Sequence, residues 1–110
     1  NQQYTVQDAA ARLNRDIEGA VDVNFDDFIS ENQYETIILT VDGNTRKWSL
    51  SGGTLSLNDV AVVNGLTSDS CFIEKSNTLT VVLKPVATNA GRNPINVAKP
   101  VVYHYNLKYK

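Results

Sequence analysis

His104 and Cys71 are the only histidine and the only cysteine of the chain. Nucleophilic catalysis by a serine or cysteine needs a neighbouring base, normally histidine. His104 stands between Tyr103 and Tyr105 in an alternating run, which reads as a structural or solvent-facing position on a strand. Cys71 sits beside Phe72 and Ile73 and reads as a small buried core residue, with no third group to orient a Cys–His pair. Asp26 and Asp27 are adjacent carboxylates, but neighbours on an extended chain point to opposite faces and make no acid–base pair by spacing alone. Asp22, Asn24, Asp26 and Asp27 would put oxygen ligands for Ca²⁺ on one loop. They lack the glycine and terminal glutamate of a twelve-residue calcium loop, and a solvated connection is the plainer reading. Ser51-Gly52-Gly53-Thr54 leads into a strand pattern and not a helix, so it is no phosphate cradle. Trp48, Phe72, Tyr103, Tyr105 and Tyr109 could stack on sugars or bases, although four of them fall in alternating runs where core packing or cross-strand pairing accounts for them. Arg46-Lys47 is too small a basic cluster to indicate nucleic acid. The expectation is a non-enzymatic protein without metal, cofactor or nucleic-acid partner.

The composition bounds what must position these residues. A chain of 110 residues with 42% apolar and 20% charged side chains has the length and packability of one domain, residues 1–110, and is too short for a catalytic barrel. Ten basic against twelve acidic residues leave a formal charge of −2, which argues against a broad nucleic-acid or anionic-membrane footprint. One cysteine builds no intrachain disulfide. No run approaches the ~18 apolar residues of a membrane span. Methionine is absent, so Asn1 is expected to follow a removed segment.

Between about residues 5 and 21, Val6, Ala9, Ala10, Leu13, Ile17, Ala20 and Val21 recur at steps of three or four. On a helical wheel they cover one face within about 120°, the pattern of a core-facing amphipathic helix. Thr5 followed by Asp8 resembles a capping box, and Asp8, Arg12 and Asp16 form a charged stripe at i, i+4 spacing. Gly19 weakens the last turn. From about residue 34 to 110 the pattern is β: Tyr34–Val41 alternates, Asp42-Gly43-Asn44 makes a hairpin turn, and Trp48 and Leu50 share a face. Leu55 and Leu57 continue the meander, and Thr78–Lys84 alternates with a turn at Ser76-Asn77 before it. Pro85, Pro94 and Pro100 mark residues 85–100 as the longest loop, and Val101–Lys110 closes the chain as a strand. The expected fold class is α+β, one long N-terminal amphipathic helix packed on an antiparallel sheet of five to seven strands.

This order of elements resembles the soluble domain of a type IV pilin or type II secretion pseudopilin, closest to the minor subunits of the W-type and J-type group. The resemblance runs over roughly residues 5–84. It is carried by Leu13-Asn14-Arg15-Asp16-Ile17-Glu18-Gly19-Ala20 at the helix end, by Trp48-Ser49-Leu50-Ser51-Gly52-Gly53-Thr54-Leu55 in the first hairpins, and by Val60–Phe72 followed by Thr78–Leu83. It implies a pilin-like fold and a role in filament assembly with other pilin or pseudopilin subunits. An apolar half-helix ahead of Asn1 would anchor the protein in the inner membrane, outside the cytoplasm, before it enters a surface or periplasmic filament. Val6, Ala10, Leu13 and Ile17 would pack helix on sheet, and Tyr4, Ala11, Arg15 and Glu18 would face neighbouring subunits. The competing readings are a secreted or surface β-rich binding or adhesin module, which an exposed flat face of Trp48, Tyr103 and Tyr105 would favour, and a phage or virion structural subunit.

Overall fold

The structure is a computed structural model that describes residues 5–86 and 100–107. It is mostly β: 61% of these residues lie in strands, and a single short helix accompanies a curled antiparallel half-barrel. The expected α+β arrangement of a long helix on a sheet is therefore corrected. The helix α1 spans Val6–Glu18, 13 residues. Thr5 caps it, its hydroxyl accepting the Asp8 N–H at 3.1 Å, and Gly19 closes it with its N–H on the Arg15 carbonyl. Ala20 and Val21 prolonged the apolar stripe in the sequence, yet they belong to the following strand, and Val21 is 68% exposed.

Eight strands follow: β1 Ala20–Ser30, β2 Gln33–Val41, β3 Asn44–Ser51, β4 Thr54–Leu57, β5 Val60–Val63, β6 Cys71–Lys75, β7 Thr78–Leu83 and β8 Val101–Asn106. β1 is the strand that the sequence pattern hid. Its Asp22, Asn24, Asp26 and Asp27 look like loop residues, but alternating Val23 and Phe25 pair with Leu39 and Ile37 of β2, and that pairing outweighs poor strand propensity. Several hairpins are joined by two-residue turns in which both residues have positive φ: Asp42 and Gly43 (52° and 76°), Asn58 and Asp59 (51° and 70°) and Ser76 and Asn77 (54° and 60°). Such turns match the right-handed twist of the strands they connect.

β1 occupies one edge of β2 along its whole length. The other edge of β2 is shared in succession, by β3 over Thr36–Val41 and by β6 at Gln33 and Tyr34. The sheet thus forks into two wings, β3-β4-β5 and β6-β7-β8. Residues 64–70 tie the far ends of the wings together: the Leu66 N–H donates to Gly53, the Thr67 N–H to Lys84, and the Val86 N–H to Gly65. Ser70 is buried, and its hydroxyl accepts the Lys84 N–H at 2.9 Å.

The helix packs against β2 and against the last strand of each wing, β5 and β8. Ala9, Ala10, Leu13 and Ile17 enter a core shared with Ile37, Leu39, Trp48, Leu55, Phe72, Leu79, Val81 and Leu83. Two side-chain bonds fix it to opposite wings. The Trp48 indole N–H donates to the Asp16 carboxylate at 2.9 Å, and the Tyr105 hydroxyl donates to the Asn14 amide oxygen at 2.6 Å. Of the expected loop 85–100, Pro85 bridges to Leu66, and residues 87–99 lie outside the described residues.

Candidate functional site

The residues with catalytic potential are kept apart. Cys71 on β6 and His104 on β8 are separated by β7, two strand spacings of about 4.8 Å each plus a two-residue offset in register. Cys71 is buried, and desolvation, with the Asp69 carboxylate as a smaller cause, pushes its thiol up from its ordinary pKa, away from the reactive thiolate. The exposed His104 pairs through Nδ1 with the Thr80 hydroxyl at 3.0 Å. Among the described residues, Asp69 is the carboxyl that is clearly shifted. The Lys84 ammonium at 2.7 Å, with help from the Thr67 hydroxyl, holds it at about 2, so it stays ionised across the ordinary pH range.

The oxygen ligands considered for Ca²⁺ do not converge. Asp22, Asn24 and Asp26 are alternate residues of β1, about 6.6 Å apart in steps along the strand. Asp22 accepts from the Asn24 amide, and Asp27 accepts from the buried Thr36 hydroxyl. Among the described residues no three His, Cys, Asp or Glu side chains are placed to hold a metal ion. No helix among them is long and apolar enough to cross a membrane. Arg46 and Lys47 are each engaged by a carboxylate, Asp16 at 3.8 Å and Asp59 at 3.5 Å. Trp48 is fully buried, so it cannot form a flat binding face with Tyr103 and Tyr105, which are half-buried against the core.

Two of the surfaces open to solvent are the outer face of α1 and the β1–β2 hairpin. On α1, the buried ridge of Ala10, Leu13 and Ile17, with Val6 half-buried beside it, faces the core. Ala11, Arg15 and Glu18 are exposed on the helix, while Tyr4 lies outside the described residues.

The second surface is the outer side of the β1–β2 hairpin. Phe28 is 67% and Ile29 is 44% exposed. Phe28 meets the half-buried Tyr34 edge-on with ring centroids 5.9 Å apart, and Phe25 lies 5.3 Å from the same ring. Ile29 also lines one wall of a small cleft of about 110 Å³ with Glu35, Leu50, Gly52 and Ser68, at the fork between the wings. Sequence reasoning missed this surface because it took residues 22–33 as a connection. The period-two alternation of Val23 and Phe25 with Asp22, Asn24 and Asp26 was the available signal. Compared with known protein families, characterised proteins and solved structures, the chain has no match.

Proposed function

We propose that this chain is a non-enzymatic structural subunit, a minor pilin or pseudopilin of a type IV filament or a related secretion or competence pseudopilus, working by packing against other subunits. The reading places it outside the cytoplasm, anchored in the inner membrane before assembly and then held in a surface or periplasmic filament. The observation that carries it is the two-sidedness of α1. One ridge is immobilised in the core and by the Asp16 and Asn14 bonds, while Ala11, Arg15 and Glu18 project outward. A small alanine one turn before a cation, with an anion further along the same ridge, lets a neighbouring helix approach closely and pair with both charges. The helix surface supports this reading, and the curled, mostly β architecture adds nothing to it.

The test is made in cells that carry the remaining filament subunits. With a cysteine placed on the facing helix of a neighbouring subunit and an added oxidant to take up the two electrons, Ala11→Cys should form disulfide-linked adducts, against a background in which buried Cys71 forms none. Deletion of the gene should abolish piliation, secretion or DNA uptake. A deletion that leaves all three intact overturns the reading. A surface β-rich ligand-binding or adhesin module is the second reading, favoured by the exposed Phe28 and Ile29 on the hairpin. It predicts that Phe28→Ala abolishes adhesion while filaments still form.

A further inference from the structure

β1 has a partner on one side only. β2 takes its inner edge from Ala20 to Ser30, and among the described residues no strand pairs with its outer edge. Eight of its eleven residues are exposed, and among the described residues no loop packs over most of its length. An open strand edge presents a row of backbone donors and acceptors, and natural sheets blunt such edges with lysine, proline or bulges. β1 is bulged at Val21 and Ile29, where the register with β2 slips by one residue, and Asp27 adopts a left-handed φ of 57°. Between those points Asp22–Asp26 runs in unbroken register with Thr40–Thr36. Neither proline nor any cationic residue occurs from Ala20 to Gln33.

The charge of this edge selects its occupant. Asp22, Asp26, Asp27 and Glu31 make the hairpin uniformly acidic. A second copy pairing β1 against β1 would set carboxylates against carboxylates, and like charges directly opposite are destabilising. A strand that alternates lysine or arginine with apolar residues meets both faces. Its cations lie beside Asp22 and Asp26, and its apolar side chains extend the row of buried Val23 and half-buried Phe25. Exposed Phe28 and Ile29 then give its flank an apolar landing.

We propose that the outer edge of β1, over Asp22–Asp26, accepts a basic extended segment of a partner protein, alternating cationic with apolar residues, by strand addition. The inference goes beyond the filament reading and does not rest on it, since it concerns a different surface from the ridge on α1.

The full 110-residue chain is titrated with a peptide of alternating lysine and valine, while amide hydrogen exchange is followed residue by residue. The controls are the same peptide N-methylated along its backbone and a glutamate–valine counterpart. Exchange of the outward amides within Asp22–Asp26 should slow by about tenfold or more at saturation. The N-methylated and acidic peptides should give no such protection. Asp22→Lys/Asp26→Asn should weaken binding by about tenfold through lost charge, since the asparagine keeps the oxygen that accepts the Asp27 N–H. Absence of binding overturns the proposal. So does equal binding of the N-methylated peptide, which would mean charge attraction without strand pairing, or protection appearing on β5 or β8 in place of β1.

Discussion

Trp48 shows how much of this fold hangs on single polar contacts inside an apolar core. Its ring is fully buried, and its N–H has one partner, the Asp16 carboxylate, whose side chain is only 13% exposed and is otherwise met by Arg46 at 3.8 Å. Trp48→Phe removes that donor, leaves the carboxylate short of a bond and opens a void. It should destabilise the protein by about 2–4 kcal/mol in urea unfolding. Asp16→Asn, which keeps an acceptor oxygen, should cost less, about 1 kcal/mol. Equal costs for the two variants would mean that the carboxylate charge, and not the indole bond, holds the helix here. The sequence placed Trp48 on the same face as Leu50, which is where it lies. It put Asp16 in a charged stripe with Asp8 and Arg12 at helical spacing. A partnership across 32 residues leaves no mark in local periodicity, so the stripe gave no hint of it. Tyr105 is similar. Alternation placed it on a strand, but its bond to Asn14 spans 91 residues. Burial, then the neighbouring Tyr103 and Glu18, push its hydroxyl well above the usual tyrosine range, which keeps it protonated and able to donate.

At the scale of elements, the turns were the most legible feature, because left-handed backbone demands particular residues. Asp42-Gly43 and Ser76-Asn77 announce hairpins, and hairpins are found there. β1 was hard to read for the converse reason: Asp22, Asn24, Asp26 and Asp27 favour turns and mask the alternation of Val23 and Phe25, and pairing with β2 overrides that preference. Gly53 carries information of another kind. Its φ is +80°, and a Cβ there would stand 2.6 Å from the Leu66 carbonyl oxygen, the segment that joins the tips of the two wings. Gly43 has a similar φ of +76° but open space around it. Gly43→Ala should therefore cost about 1–2 kcal/mol, the conformational penalty alone. Gly53→Ala must also displace backbone, and should exceed that by at least about 1 kcal/mol in thermal unfolding. Equal losses would show that the 64–70 segment shifts freely and does not tie the wings together.

For the molecule as a whole, the question is whether the helix is a lid on a finished sheet or part of what makes the sheet stable. The forked sheet ends its two wings in β5 and β8, and α1 touches both. Leu13 is fully buried in a core that draws on both wings, and the two side-chain bonds to α1 come from β3 and β8. A helix attached in this way has no route to detach without exposing the core of each wing, so unfolding should be one cooperative event. Trp48 fluorescence reports the contact between helix and sheet, while far-ultraviolet circular dichroism reports mainly the strands. The two should give the same midpoint in urea. Leu13→Ala should cost about 2–5 kcal/mol and move both midpoints together. A fluorescence change that precedes the loss of strand signal would mean that α1 leaves first, and would remove the rigid platform on which Ala11, Arg15 and Glu18 must be held to face a neighbouring subunit.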